Sequence, residues 1–337
     1  MTLIETYGLP TWNDTEWMPA RVTAVHRDRF EIVTEMGFSH AQMKRGLHAM
    51  EMPTVGDLIA VEYNPSGDSK AVDILPRRTL FARQDSWHGT RQLIAANVDL
   101  TFITTSVNAD FNLRRLERYL ALARESGSEP IFLLTKCDLI DAEALEQLFA
   151  QLSQLAPDCT VLTLSVFTGQ GMEELRALLT PGRIAVLLGS SGVGKSSLVN
   201  VLMGDAVMKT NTIRPDDDKG RHTTVHRQLL ELPGGALLID TPGMRELGMW
   251  DAHEGVASVF SDVEAFVSRC RFSDCTHTHE PGCALRAAIE AGTLDEARVK
   301  NYLKMKNEAD KTARRAQKAA KMKEISKFSR ARKKEGR

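Results

Sequence analysis

The sequence holds no apolar run that approaches the about 20 residues a bilayer-spanning helix needs. Its purely apolar stretches, such as Ile184 to Leu188, are far shorter, so a membrane-spanning protein is not expected and no membrane partner is foreseen. The opening MTLIETYGLP lacks the basic start, apolar middle and small-residue cleavage site of a secretory leader, which points to the reducing cytoplasm. Cysteine is scarce, five in 337 residues, and in that setting it serves as a thiol or a metal ligand rather than as a disulfide staple. Net charge is almost absent too, −1 at neutral pH, but it is unevenly spread. Arg298 to Arg337 hold sixteen basic against four acidic side chains, a net +12, which leaves −13 on the other 297 residues. Such a basic arm suits a solvated helix, a disordered tail, or contact with a polyanion whose condensed counterions it displaces.

What is present is a globular composition, 42% hydrophobic and 26% charged, long enough for two or three domains. The first part, residues 1–85, reads as β-rich. Ala20 to His26, Arg29 to Thr34 and Asp57 to Tyr63 are short runs with Val, Ile, Phe and Tyr, separated by glycines and the Asn64-Pro65-Ser66-Gly67-Asp68 turn. Short strands at this spacing suggest an OB-like β-barrel, a fold that binds oligonucleotides. Over residues 91–249 the texture becomes α/β: Leu100 to Val107, Ile131 to Leu134, Val161 to Leu164, Ile184 to Leu188 and Ala236 to Ile239 are near-continuous apolar runs, as a parallel sheet covered on both faces requires. Helical patterns such as Leu113 to Ser126 and Asp141 to Leu155 lie between them. In residues 250–337 strands cease, a Cys/His cluster appears, and helices are expected from Ala284 to Ala291 and from Leu294 onward, the second opened by a Thr293/Glu296 capping box.

The strongest chemical signal is Gly189-Ser190-Ser191-Gly192-Val193-Gly194-Lys195-Ser196, a complete G-x-x-x-x-G-K-S between an apolar strand and the helical Ser197 to Met203. Its glycines let successive backbone N–H groups curl around a β-phosphate at a helix N-terminus. Lys195 reaches the β/γ oxygens, and the Ser196 hydroxyl ligates magnesium. About 45 residues on, Asp240-Thr241-Pro242-Gly243 ends another apolar strand, so Asp240 can hold magnesium through water while Gly243 offers its N–H to a γ-phosphate. The polar stretch between them, Thr210 to His226, includes Arg221-His222-Thr223-Thr224, and Thr224, ahead of Thr223, is the candidate for a second magnesium hydroxyl; alternatively both threonines simply enter the next strand.

Thr135-Lys136-Cys137-Asp138 distinguishes guanine from adenine. It follows Ile131 to Leu134 and resembles N/T-K-x-D, in which the Asp carboxylate accepts two hydrogen bonds from guanine N1 and N2 and the Lys stem packs on the base. Thr135 in place of the commoner Asn loses an amide, so somewhat weaker binding is expected. Ser165, closing Val161 to Leu164, stands where a backbone contact to guanine O6 is made. These base readers precede the P-loop, the reverse of the common order, so the domain is circularly permuted, which closely spaced termini permit. Beyond it, Cys270-x4-Cys275-x-His277-x5-Cys283 supplies the Cys3His set of a structural tetrahedral zinc site, with His279 as the competing fourth ligand.

With GSSGVGKSSL, DTPGMRELGMW, TKCDL and the Cys3His cluster in this order, the chain resembles the circularly permuted small-ribosomal-subunit biogenesis GTPases, the RsgA (YjeQ) family, over nearly its whole length. The resemblance implies an OB fold, a GTPase and a zinc domain acting late in maturation of the small (30S) subunit, with 16S rRNA as a partner and hydrolysis of GTP to GDP stimulated by the particle. Met244, which follows Gly243, cannot orient water as a glutamine would, and the resemblance assigns that role to His222. The chain is expected to work as a monomer. Two rival readings are a non-hydrolysing guanine-nucleotide-dependent RNA-binding module and a P-loop ATPase.

Overall fold

A computed structural model describes residues 1–12, 16–26, 29–44, 51–84, 91–108, 110–204, 228–240 and 252–335. The chain forms two compact units. One comprises Met1–Phe81, Leu93–Leu113 and Gly127–Leu247; the other comprises Ala82–Gln92, Arg114–Ser126 and Gly248–Arg337.

Five strands of the first unit close a barrel: β1 (Met18–Val25), β2 (Phe30–Thr34), β3 (Gly37–Met43), β4 (Leu58–Glu62) and β5 (Ser69–Ile74). Around the barrel the order is β1-β2-β3-β5-β4 and back to β1, all antiparallel except β3 with β5. Its filling is Ala20, Val22, Phe30, Ile32, Ala41, Ile59, Val61 and Ala71, which reflects the period-2 alternation of half-buried strands. Two strands of the barrel and a helix escape the sequence reading. β3 and β5 are less apolar than their neighbours. The helix, α1 (Leu3–Tyr7), is opened by a capping box between Thr2 and Glu5 and closed by Gly8 in the left-handed region.

Arg21 fastens α1 to the barrel. Its guanidinium is 2% exposed and donates to the carbonyls of Tyr7 (2.9 Å), Gly56 (2.8 Å) and Gly8 (3.1 Å). Burial, and then the nearby Arg78, pull its pKa down to about 10, which still leaves it charged at neutral pH. At Gly56, with φ +87°, a Cβ would lie 2.1 Å from the Ala96 carbonyl, so only glycine fits.

The sheet continues as β10 (Thr160–Leu164), β9 (Glu129–Thr135), β8 (Leu100–Ser106), β11 (Ile184–Leu188) and β13 (Leu237–Asp240), all parallel, then antiparallel β12 (Gln228–Glu231), which meets β1 at Ala24 and Gln228. Each expected apolar run of this region is a strand, and β6 (Leu80–Gln84) and β7 (Arg91–Ala96) add a two-stranded ribbon. One face of the sheet buries Leu100, Phe102, Ile131 and Leu133 with Leu175 of α4 (Met172–Leu178) and Leu198 of α5 (Lys195–Met203). α3 (Ala142–Leu155) is capped by Asp141, whose carboxylate accepts from Ala144 N–H at 2.9 Å. The strand leading to the P-loop, β11, sits between β8 and β13, although the parallel strands β8, β9 and β10 precede it in the chain.

The second unit holds α2 (Leu113–Ser126, from Arg114), α6 (His253–Val259), α7 (Ser261–Val267), α8 (Ala284–Glu290) and α9 (Glu296–Glu335). The expected Thr293/Glu296 capping box does not form. Thr293 Oγ1 donates to the Ala288 carbonyl, and the Asp295 carboxylate caps α9 by accepting from Ala297 N–H. Nor is the basic arm solvated from Arg298 on: Val299, Tyr302, Met305, Ala309 and Thr312 recur every three or four residues and are buried, so the first half of α9 is core. Among the described residues no helix is long and apolar enough to cross a membrane.

Arg298 joins three helical segments of this unit. It donates to Glu117 (2.6 Å), to both Asp262 oxygens (2.8 and 2.9 Å) and to the Val259 carbonyl (2.9 Å), with its guanidinium 4.9 Å above the Phe260 ring. Burial pushes the Glu117 carboxyl above its ordinary range against the pull of Asn301 and Arg298. Arg298→Ala should lower stability in urea denaturation of the full chain by about 3 kcal/mol, because a buried carboxylate loses its partner. Glu117→Leu combined with Arg298→Met should return to within about 1 kcal/mol of the parent.

Candidate nucleotide-binding site and metal centre

The P-loop is built at the carboxyl edge of the sheet, where β11 gives way to α5. Gly189 leaves the strand at φ +152°, and a Cβ there would lie 2.4 Å from the Thr104 carbonyl, so close passage over β8 demands glycine. Gly192 and Gly194 also take positive φ, and among the described residues no side chain makes a cap hydrogen bond at the start of α5, the helix end that an anion meets. Lys195 Nζ folds back to donate to the carbonyls of Gly189 (2.6 Å) and Ser190. Ser190 Oγ donates to the Asp110 carboxylate at 2.5 Å. Asp110 was not a candidate from sequence, since it belongs to no spaced motif. Ser191, Val193, Ser196 and Ser197 occupy the loop and the first helical turn as the motif predicts, with Val193 fully buried.

The Thr135–Asp138 segment meets the P-loop directly. β8 holds β9 beside it, and the buried Thr135 hydroxyl at the end of β9 reaches the Val193 carbonyl at 2.6 Å and the Thr105 carbonyl at 3.1 Å. The expectation that threonine here merely loses an amide is therefore incomplete, because its hydroxyl still ties this loop to the P-loop. Lys136 adopts a left-handed φ of +61° and donates from Nζ to the Gly192 carbonyl at 2.7 Å. The short turn Cys137–Leu139 follows, with Cys137 buried and its thiol on the Leu134 carbonyl at 3.0 Å. Burial pushes that thiol above its usual range, so it is a neutral packing group.

Asp138 is oriented by Ser165, whose hydroxyl donates to the carboxylate at 2.5 Å. The backbone N–H of Ser165, the group expected at guanine O6, donates instead to the Gln170 carbonyl at 3.1 Å. The next N–H, that of Val166, has no hydrogen-bond partner among the described residues, and a sequence reading that stopped at the end of β10 passed it by. β13 runs parallel beside β11, with Ile239 level with Val186, so Asp240 leaves the sheet at the same edge as the P-loop. Gly243, Thr224, Thr223 and His222 lie outside the described residues.

Between α7 and α8, Cys270, Cys275, His277 and Cys283 place one ligand atom each within 4.8 Å of the others, a set able to hold a metal ion. It is His277, at φ +63°, that turns Nδ1 to 3.6 Å from both Cys270 and Cys283 sulfur, while the backbone N–H of His279 donates to Glu280. Against desolvation, hydrogen bonds from Ala284 and Leu285 pull Cys270 down, whereas desolvation and its sulfur neighbours push Cys275 up to about 11. Burial, then the Lys306 ammonium, keep the His277 imidazole below its ordinary pKa and hence neutral, the form that ligates metal.

Comparison with known proteins agrees with this geometry. The RsgA GTPase family model matches residues 74–250. An ABC transporter model matches 172–333, a span that includes the G-x-x-x-x-G-K-S loop common to P-loop proteins. The small ribosomal subunit biogenesis GTPase RsgA 1 of Listeria monocytogenes is 43% identical over 322 residues, 93% of this chain and 91% of that one. The crystal structure of YjeQ from Thermotoga maritima superposes with a TM-score of 0.63 at 28% identity, over 87% of this chain and 98% of that one. YloQ, a circularly permuted GTPase, shares the fold with a TM-score of 0.59 at 23% identity, over 89% and 99% of the two chains. By sequence and by fold, the chain belongs to the RsgA family of circularly permuted GTPases.

Proposed function

We propose that this protein binds the small (30S) ribosomal subunit, assists its late maturation, and hydrolyses GTP to GDP and phosphate with stimulation by that particle. The observation that supports this best is the buried Thr135 to Val193 hydrogen bond, which ties the T-K-x-D segment to the G-x-x-x-x-G-K-S loop. The names of curated relatives supply the ribosomal context. Residues 1–85 would act as the RNA-binding barrel, 91–249 as the GTPase domain, and 250–337 as a zinc domain with its basic helix. On the barrel, the β2–β3 hairpin exposes Met36 (64%) and Phe38 (68%), an apolar tip suited to stacking on unpaired bases of 16S rRNA. The protein would act in the cytoplasm as a monomer.

In the pocket, Asp138, held by Ser165, accepts from guanine N1 and N2, and the Val166 N–H takes the place of Ser165 at O6. The backbone N–H groups of Gly189 to Ser197 and the Lys195 ammonium bind the phosphates, with the Gly243 N–H toward the γ-phosphate. On arrival of the nucleotide, Lys195 exchanges two carbonyl acceptors for phosphate oxygens. Ser196, Thr224 and Asp240 would hold magnesium, which neutralises charge on the β and γ oxygens. His222 is assigned the water-orienting role that Met244 cannot fill.

The Cys3His centre fits zinc. Separations of 3.6 Å from His277 Nδ1 to two sulfurs match an edge of a tetrahedron with arms of about 2.3 Å to sulfur and about 2.05 Å to nitrogen. Four protein ligands leave no open position, so the ion is structural.

Phosphate release in multiple turnover should rise at least tenfold when small subunits are added, and Lys195→Ala should abolish the rise; release unaffected by small subunits would remove the ribosomal reading. Asp138→Asn should shift nucleotide preference from GTP towards xanthosine triphosphate in competition calorimetry, and unchanged preference would reject the guanine assignment. Chelation of metal should lower the melting temperature of the C-terminal unit, with zinc and not magnesium restoring it. Equal melting with and without chelator would count against a structural ion.

A further inference from the structure

The C-terminal unit contains a second concentration of cations that the nucleotide chemistry does not use. A cavity of about 290 Å³ opens between α2 and α9, lined by Arg114, Arg115 and Arg118 from one helix and Lys300 and Lys304 from the other. Asn301 closes one wall by donating to the Arg114 carbonyl and to Glu117, and buried Met305 supplies an apolar patch of lining. Arg118 is paired with Glu308 at 2.6 Å and Lys300 with Glu296 at 2.7 Å; Arg114 and Lys304 have no ion pair among the described residues. Arg114 and Arg118, like Lys300 and Lys304, are one helical turn apart, a like-charge spacing unfavourable to each helix. Three arginines in the opening turns of α2 also oppose its dipole. A positive cluster that works against both of its own helices is relieved by an anion.

We infer that this cavity is a phosphate-binding site that seats a phosphodiester of an RNA strand. Guanidinium forks meet phosphate oxygens bidentately, and three arginines with two lysines line this one cavity. A strand is favoured over a free anion because α9 continues past the cavity with exposed Lys311, Arg314, Arg315 and Lys318, at which neighbouring phosphates can be met. The inference rests on the proposed RNA partner and adds where, on this unit, the backbone is gripped.

The test uses the full chain with GDP bound and two unrelated 20-nucleotide single-stranded RNAs, with affinity measured by fluorescence anisotropy across a salt series. Arg114→Gln with Lys304→Gln should weaken binding about tenfold for both sequences. It should also reduce the slope of log K against log salt by about 1 to 1.5, since each single-strand phosphate contact contributes about 0.7. Guanine nucleotide affinity should not change, and a charge-matched variant elsewhere, Arg176→Gln with Arg286→Gln, should leave the slope as in the parent. An unaltered slope in the cavity variant, an equal loss in the control, or a cavity that takes tripolyphosphate without competing with RNA would overturn the site while leaving the ribosomal reading intact. A parent chain that binds no RNA would overturn both.

Discussion

A single buried hydrogen bond, from the Thr135 hydroxyl to the Val193 carbonyl, holds together what the chain order separates. Its partners are 58 residues apart, one at the end of β9 and the other inside the P-loop. In a water-excluded position such a bond is hard to forfeit, since either group left unpaired would bear its full desolvation penalty. Lys136 repeats the link from Nζ to the Gly192 carbonyl, and Ser165 extends it by holding Asp138. The P-loop and the Thr135–Asp138 loop therefore share one edge of the sheet. That is why permutation can leave the pocket intact: the pocket depends on which strands are neighbours, not on which is made first.

Much of this was legible in the sequence because the signals were chemical or strongly periodic. The P-loop needs glycine at fixed places, and parallel strands covered on both faces must be continuously apolar. β8, β9, β10, β11 and β13 fall where those runs predicted, and the Cys3His spacing predicted the atoms that converge. What stayed hidden were choices between equivalent local partners. Thr293 and Asp295 can each cap α9, and only packing against Ala288 decides that Thr293 turns away. Ser165 and Val166 each have an N–H near the base loop, and the Gln170 carbonyl takes the first. His277 and His279 are two residues apart, and the positive φ of His277 selects it.

The basic tail shows a different limit. Counting charge from Arg298 merged two functions on one helix, because lysines at helical spacing look alike whether the opposite face is core or solvent. Val299, Tyr302 and Met305 make the first half of α9 a structural member of its unit, and Arg298 itself belongs to the network with Glu117 and Asp262. Two of the cations on α9 are mounted on this packed scaffold, Arg298 over the Phe260 ring and Lys306 over the Tyr302 ring.

The central place of β11 has a consequence for how the chain is made. During synthesis β8, β9 and β10 emerge first, and β8, buried at every residue in the finished sheet, must wait with one edge unsatisfied. Only when β11 has been synthesised can it slot against β8 and offer its other edge to β13. Until then the nascent chain displays an open apolar strand, the kind of template that recruits stray strands or chaperones. Permutation thus keeps the same strands side by side and moves the vulnerable moment into biosynthesis, where the keystone strand arrives late.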